Sequence, residues 1–107
     1  MIPVPNTVLG LRPELHETFR MVRTAFPDEI PEEAYRPLLA LLAAGMSQRA
    51  AARVVAYCTG REYPLVYHDV LGAVSPYDPD PLDPAQVEAV RQRLREHGYD
   101  DWLAKEE

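Results

Sequence analysis

A chain of 107 residues with 47% hydrophobic and 26% charged side chains has the composition of one globular domain, large enough for a single core, too short for a second, and unlike a disordered chain. Seventeen acidic against eleven basic residues give a formal net charge of −6, a field that repels polyanions at long range and disfavours generic nucleic-acid binding. The single cysteine, Cys58, can form neither an internal disulfide nor a thiolate zinc site, and it suits a reducing compartment.

The first residues, MIPVPNTVLGLRPELHETF, lack a basic leader followed by a long apolar run, so no signal peptide is expected. No apolar stretch approaches the roughly 18 to 20 residues that cross a bilayer. The expectation is a cytoplasmic protein without membrane attachment. Met1 to Gly10, with Pro3 and Pro5 and no periodic pattern, reads as an extended arm ahead of a single helical domain over 11–107.

From Leu11 onward, Leu15, Phe19, Val22 and Phe26 recur at steps of three or four, which predicts a helix over about Pro13 to Ala25. Pro27 and Pro31 enclose an acidic turn. The run Tyr35 to Gly45 (YRPLLALLAAG) predicts a helix that is apolar nearly all round and therefore central, with Pro37 in its first turn and Gly45 as its C-terminal cap. The neighbouring pair Glu32-Glu33 is explained by the positive end of that helix rather than by catalysis. Ser47 is the expected N-cap of the next helix, Gln48 to Cys58, with Ala51, Val54, Val55 and Cys58 inward, Arg49, Ala52 and Arg53 outward, and Thr59-Gly60 as its stop.

Pro64 to Val74 (PLVYHDVLGAV) follows, with Leu65, Val66, Val70, Leu71 and Val74 expected inside; its β-branched residues and Gly72 lower its intrinsic helicity. The segment SPYDPDPLDP is too rich in proline and acid for regular structure. Asp83-Pro84 starts the last long helix, with Val87, Val90 and Leu94 inward and Gly98 at its end. Tyr99 and Trp102 should then fold back over apolar surface. Together these elements predict an all-α fold, a single small bundle of four to five short helices.

The stretch GMSQRAAARVV, Gly45 to Val55, resembles part of a DNA-binding helix-turn-helix. In one register Gln48, Arg49, Ala52 and Arg53 would face the major groove, where glutamine and arginine suit adenine and guanine edges. In the other, Pro64 to Val74 is the reader and offers only Tyr67, His68 and Asp69. Met46 to Arg61 carries three arginines and no acid, whereas Asp78 to Glu107 carries nine acids against four bases. Proteins that hold DNA usually neutralise about six or more phosphates, so a capped amphipathic helix with solvated arginines explains the stretch better.

A thiol, imidazole and carboxylate are present in Cys58, His68 and Asp69, but their spacing implies no adjacency, and Cys58 falls on an inward face where cysteine behaves as a small hydrophobe. His16, His68 and His97 lie in three different expected helices without the i, i+4 pairing of a helical metal site. No cofactor motif is present, and no enzymatic activity is expected. Tyr57, Tyr63, Tyr67, Tyr77, Tyr99 and Trp102 fall in the second half, and these are the side chains that most often anchor protein interfaces. With Arg49, Arg53 and Arg61 beside them, Arg49, Arg53, Tyr57, Arg61 and Tyr63 form the candidate interaction surface. The leading expectation is a non-enzymatic protein-interaction or self-association module; the alternative is a helix-turn-helix regulator reading DNA with the 48–58 helix.

The order Phe26-Pro27, Ile30-Pro31, Tyr35, Pro37-Leu38-Leu39-Ala40-Leu41-Leu42 and Pro84-Ala85-Gln86-Val87-Glu88-Ala89-Val90-Arg91-Gln92-Arg93-Leu94, closing on Gly98-Tyr99, resembles the small actinobacterial family called domain of unknown function 3349. The likeness spans roughly Phe19 to Trp102. It implies a single helical-bundle domain without an assigned activity, and it transfers no functional residues.

Overall fold

A computed structural model of the chain describes residues 11–77 and 81–105. The arm expected over 1–10 lies outside the described residues. A 3-10 turn, Pro13–Leu15, leads into α1 (His16–Ala25), followed by α2 (Glu32–Ala43), α3 (Gln48–Thr59), α4 (Tyr63–Val74), α5 (Pro84–Arg95) and α6 (Tyr99–Ala104). No strand occurs among the described residues, so the all-α bundle is what forms.

The boundaries follow local chemistry. Ser47 Oγ accepts the Ala50 amide at 3.1 Å and Asp83 Oδ1 accepts the Ala85 amide at 2.9 Å, each satisfying an amide that the first helical turn leaves bare. Gly60 closes α3 at φ 76°, a left-handed conformation that glycine adopts without steric cost. Gly98, at φ 95°, stands between α5 and α6.

Two local expectations about α2 are corrected. The helix begins at Glu32, capped by the extended Pro31, so Pro37 sits inside the helix rather than in its first turn. Its ring is buried among the core side chains, and the backbone bond its missing amide would make is forgone. The C-cap is Ala44, and Gly45 is absent from the positive-φ glycines. Glycine is needed there for a different reason: Trp102 lies against it.

The core is centred on α2, which packs against α3, α4 and α5, while α1 closes over α3 and α5. Val22, Leu38, Leu39, Leu42, Val54, Val55, Val66, Val70 and Leu94 are fully buried. At about 25 cal/mol per Å² such aliphatic side chains each contribute about 1.5 to 3 kcal/mol of transfer free energy, which is what holds short helices of modest propensity together. Tyr99 and Trp102 stack with centroids 5.6 Å apart and fold back as expected. Tyr99 Oη donates to the Leu41 carbonyl at 2.8 Å and Trp102 Nε1 donates to Thr18 Oγ1 at 2.7 Å. The last helix is thereby fastened to the first two.

Candidate functional site

The five residues Arg49, Arg53, Tyr57, Arg61 and Tyr63 are gathered by the α3–α4 hairpin, which the three-residue link Gly60 to Glu62 closes. The Arg53 guanidinium lies 4.4 Å from the Tyr63 ring centroid, and Tyr63 in turn stacks on Tyr67 at 5.9 Å with an interplanar angle of 11°. Arg49, one turn before Arg53, is exposed on the same helix face. Neither arginine is paired with a carboxylate among the described residues. Tyr57 turns the other way and meets Phe19 of α1 edge-on at 5.3 Å.

Arg61 belongs to a second cluster that the sequence did not reveal. Its guanidinium lies 4.1 Å from the Tyr35 ring centroid and reaches Glu32 Oε1 at 3.5 Å, while Tyr35 Oη donates to Asp69 Oδ2 at 2.7 Å. Burial and the carboxylate acceptor push the Tyr35 hydroxyl up to about 12, because ionising it would place a second anion beside Asp69 in a poorly solvated spot. The contact joins α2 to α4 across 34 residues of sequence, a separation at which no local pattern carries a signal.

The remaining outward-facing candidates divide. Ala52, expected at the DNA-facing surface, is 0% exposed: the buried arc of α3 runs through Ala50, Ala51, Ala52, Val54 and Val55, and a methyl group fits inside where the helices approach closely. Gln48, Arg49 and Arg53 are exposed. On α4, Val66, Val70 and Ala73 form the buried face. Leu65, Leu71 and Val74, expected inside, are 63%, 40% and 36% exposed. The helix is apolar around most of its circumference, so periodicity could not say which arc meets the core. Its solvent face therefore reads Pro64, Leu65, His68, Leu71 and Val74, with Tyr77, 89% exposed, just beyond.

The imagined thiol-imidazole-carboxylate set is not assembled. Asp69 is engaged by Tyr35, His68 points to solvent beside it, and Cys58 is half-buried along a cleft of about 250 Å³ with Val22, Arg23, Phe26 and Arg61. Burial pushes the Cys58 thiol up to about 12 despite the nearby charge of Arg23, the opposite of nucleophile activation. His16 Nε2 bonds the Leu11 carbonyl at 2.8 Å, a capping use. No grouping of three or more His, Cys, Asp or Glu suited to a metal ion occurs among the described residues, and no helix among them is long and apolar enough to cross a membrane.

No family model, curated protein or solved structure matches this chain.

Proposed function

We propose that this chain is a non-enzymatic protein-interaction module of the cytoplasm that docks a protein partner, or a second copy of itself, on the exposed face of the α3–α4 hairpin. One observation carries the reading. The large hydrophobic side chains most exposed among the described residues, Leu65, Leu71, Val74 and Tyr77, all belong to α4 and the turn after it. Single exposed apolar residues are ordinary, but a helix whose water-facing arc is apolar apart from one residue, here His68, is the pattern of a contact surface.

The stacked Arg53, Tyr63 and Tyr67 border that arc, and arginine and tyrosine are the residues that most often carry interface energy. Their mutual stacking limits the rotamer freedom that docking would otherwise remove. The DNA reading has less support, because with Ala52 inside, only Gln48, Arg49 and Arg53 could face a groove. The likeness to domain of unknown function 3349 is proposed on the residues quoted for it and adds a fold, not an activity.

Leu71→Asp combined with Tyr77→Asp tests the reading. Wild type should sediment as a concentration-dependent dimer, or bind a purified partner first retained from a native extract, and the double variant should lose either behaviour while keeping its thermal midpoint. A wild type that is monomeric at all concentrations, with partner retention equal to that of the double variant, would sink it.

A further inference from the structure

The polarity bordering the α4 stripe is uneven in a way that specifies what docks there. The chain carries −6 overall, yet Met46 to Arg61 holds three arginines and no acid. Of these, Arg61 is matched by Glu32. Arg49 and Arg53, on successive turns of α3, have no carboxylate among the described residues. Arg53 is held over Tyr63, the first residue of α4, whose own solvent arc is apolar from Pro64 to Val74 apart from His68. Of the acids on the hairpin, Glu62 stands at the N-terminal end of α4 and Asp69 is occupied by Tyr35. An apolar stripe that begins beside Arg53, with Arg49 one turn away on α3 and neither matched by a carboxylate among the described residues, is the complement of a helix with one apolar face and carboxylates along its edge.

Resting on the interaction reading above, we infer that the partner is an acidic amphipathic helix, its apolar face laid along Leu65, Leu71 and Val74 of α4 and its carboxylates meeting Arg49 and Arg53 of α3. The 12 residues of α4 span roughly 18 Å at 1.5 Å per residue, enough for a little over three turns of such a helix. A carboxylate partner also explains why an arginine serves at position 53, since the guanidinium fork holds a carboxylate with two hydrogen bonds while its face stays on the Tyr63 ring. The same two arginines are too few to hold duplex DNA against the protein's own negative field.

The test is a selection in which the probe reports its own charge. A displayed library of peptides about 16 residues long, with leucine, isoleucine and phenylalanine fixed at i, i+3, i+4 and i+7 and the other positions randomised among Glu, Lys, Ser and Ala, is selected against the full chain. Wild type should enrich peptides with a clear excess of glutamate. Binding of the enriched peptide should weaken about tenfold on Arg49→Ala/Arg53→Ala, as expected for two exposed charge contacts, recover in part with Arg49→Lys/Arg53→Lys, and be lost on Leu71→Asp. All these positions are exposed, and unchanged melting of each variant confirms that the fold is intact.

Enrichment of neutral or lysine-rich peptides that still depend on Leu71 overturns the acidic partner and leaves the interaction surface standing. Failure to enrich any peptide, or binding indifferent to Leu71→Asp, overturns both. Retention of a duplex oligonucleotide that falls steeply with salt and with Arg49→Ala/Arg53→Ala overturns the acidic helix in favour of DNA.

Discussion

A Cβ added to Gly45 would stand 2.6 Å from Cζ3 and 2.8 Å from Cη2 of Trp102, and 2.9 Å from Cδ1 of Leu103. Trp102 has little room to yield, because its indole nitrogen donates to Thr18 and its ring stacks on Tyr99. Gly45→Ala should therefore displace α6 and destabilise the protein by about 1 to 3 kcal/mol, the usual cost of overpacking, with a red shift of the emission from this sole tryptophan as it gains water. A variant with the wild-type midpoint and emission would show that α6 accommodates the added methyl without moving. Cys58 gives a chemical test of its surroundings. With its thiol pushed up to about 12, its thiolate fraction at pH 8 should be about a thousandfold below that of an ordinary cysteine, and alkylation by iodoacetamide correspondingly slow until urea is added. Tyr35 sets a pH dependence. Its folded hydroxyl is raised above the ordinary value of 10 to about 12, so the fold favours the protonated form. The stability it contributes, up to about 3 kcal/mol, is intact below pH 10 and is lost as pH rises from there through 12. Tyr35→Phe should be less stable near neutrality and show a shallower alkaline decline, measured by urea unfolding at each pH.

α3 owes its start to one side chain. Ser47→Ala removes the acceptor for the Ala50 amide and should cost about 1 kcal/mol, readable as a lower urea midpoint at unchanged slope. That cap was legible because capping is local: serine precedes the apolar period and glycine follows it, and the structure places Gln48–Thr59 within one residue of the expected span. The start of α5 at Asp83 was legible for the same reason. What the sequence could not supply was the orientation of helices with too much or too little contrast. α4 is apolar on nearly every side, so the expected inner set caught Val66 and Val70, missed Ala73, and wrongly included Leu65, Leu71 and Val74. α3 offers alanines that pack or face water equally well, and Ala52 went to the core. The candidate surface was legible in composition, as arginines beside tyrosines. The apolar stripe that gives the surface its meaning became visible only when packing chose which arc of α4 to bury.

At the scale of the whole molecule, the C-terminal helix stabilises the domain by pairing chain segments that are far apart in sequence: Trp102 with Thr18 across 84 residues and Tyr99 with the Leu41 carbonyl across 58. α6 has only six residues, below the length at which a helix persists unaided, so its order is borrowed from these two buried hydrogen bonds and the rings around them. The Trp102–Thr18 bond can be isolated by a double-mutant cycle. Thr18→Val alone leaves the indole N–H buried without an acceptor and should cost about 1 to 3 kcal/mol, because the desolvation of the donor is no longer compensated. Trp102→Phe alone orphans the Thr18 hydroxyl and opens space as well. Combining them replaces both polar partners by apolar groups, a change that the hydrogen-bond term alone makes nearly neutral. The double variant should thus lose less stability than the sum of the single changes, by about 1 kcal/mol or more, measured by urea unfolding at pH 7. Strict additivity would mean that the two side chains act independently, and that α6 is held by apolar contact of the Tyr99 and Trp102 rings rather than by the bond between Trp102 and α1.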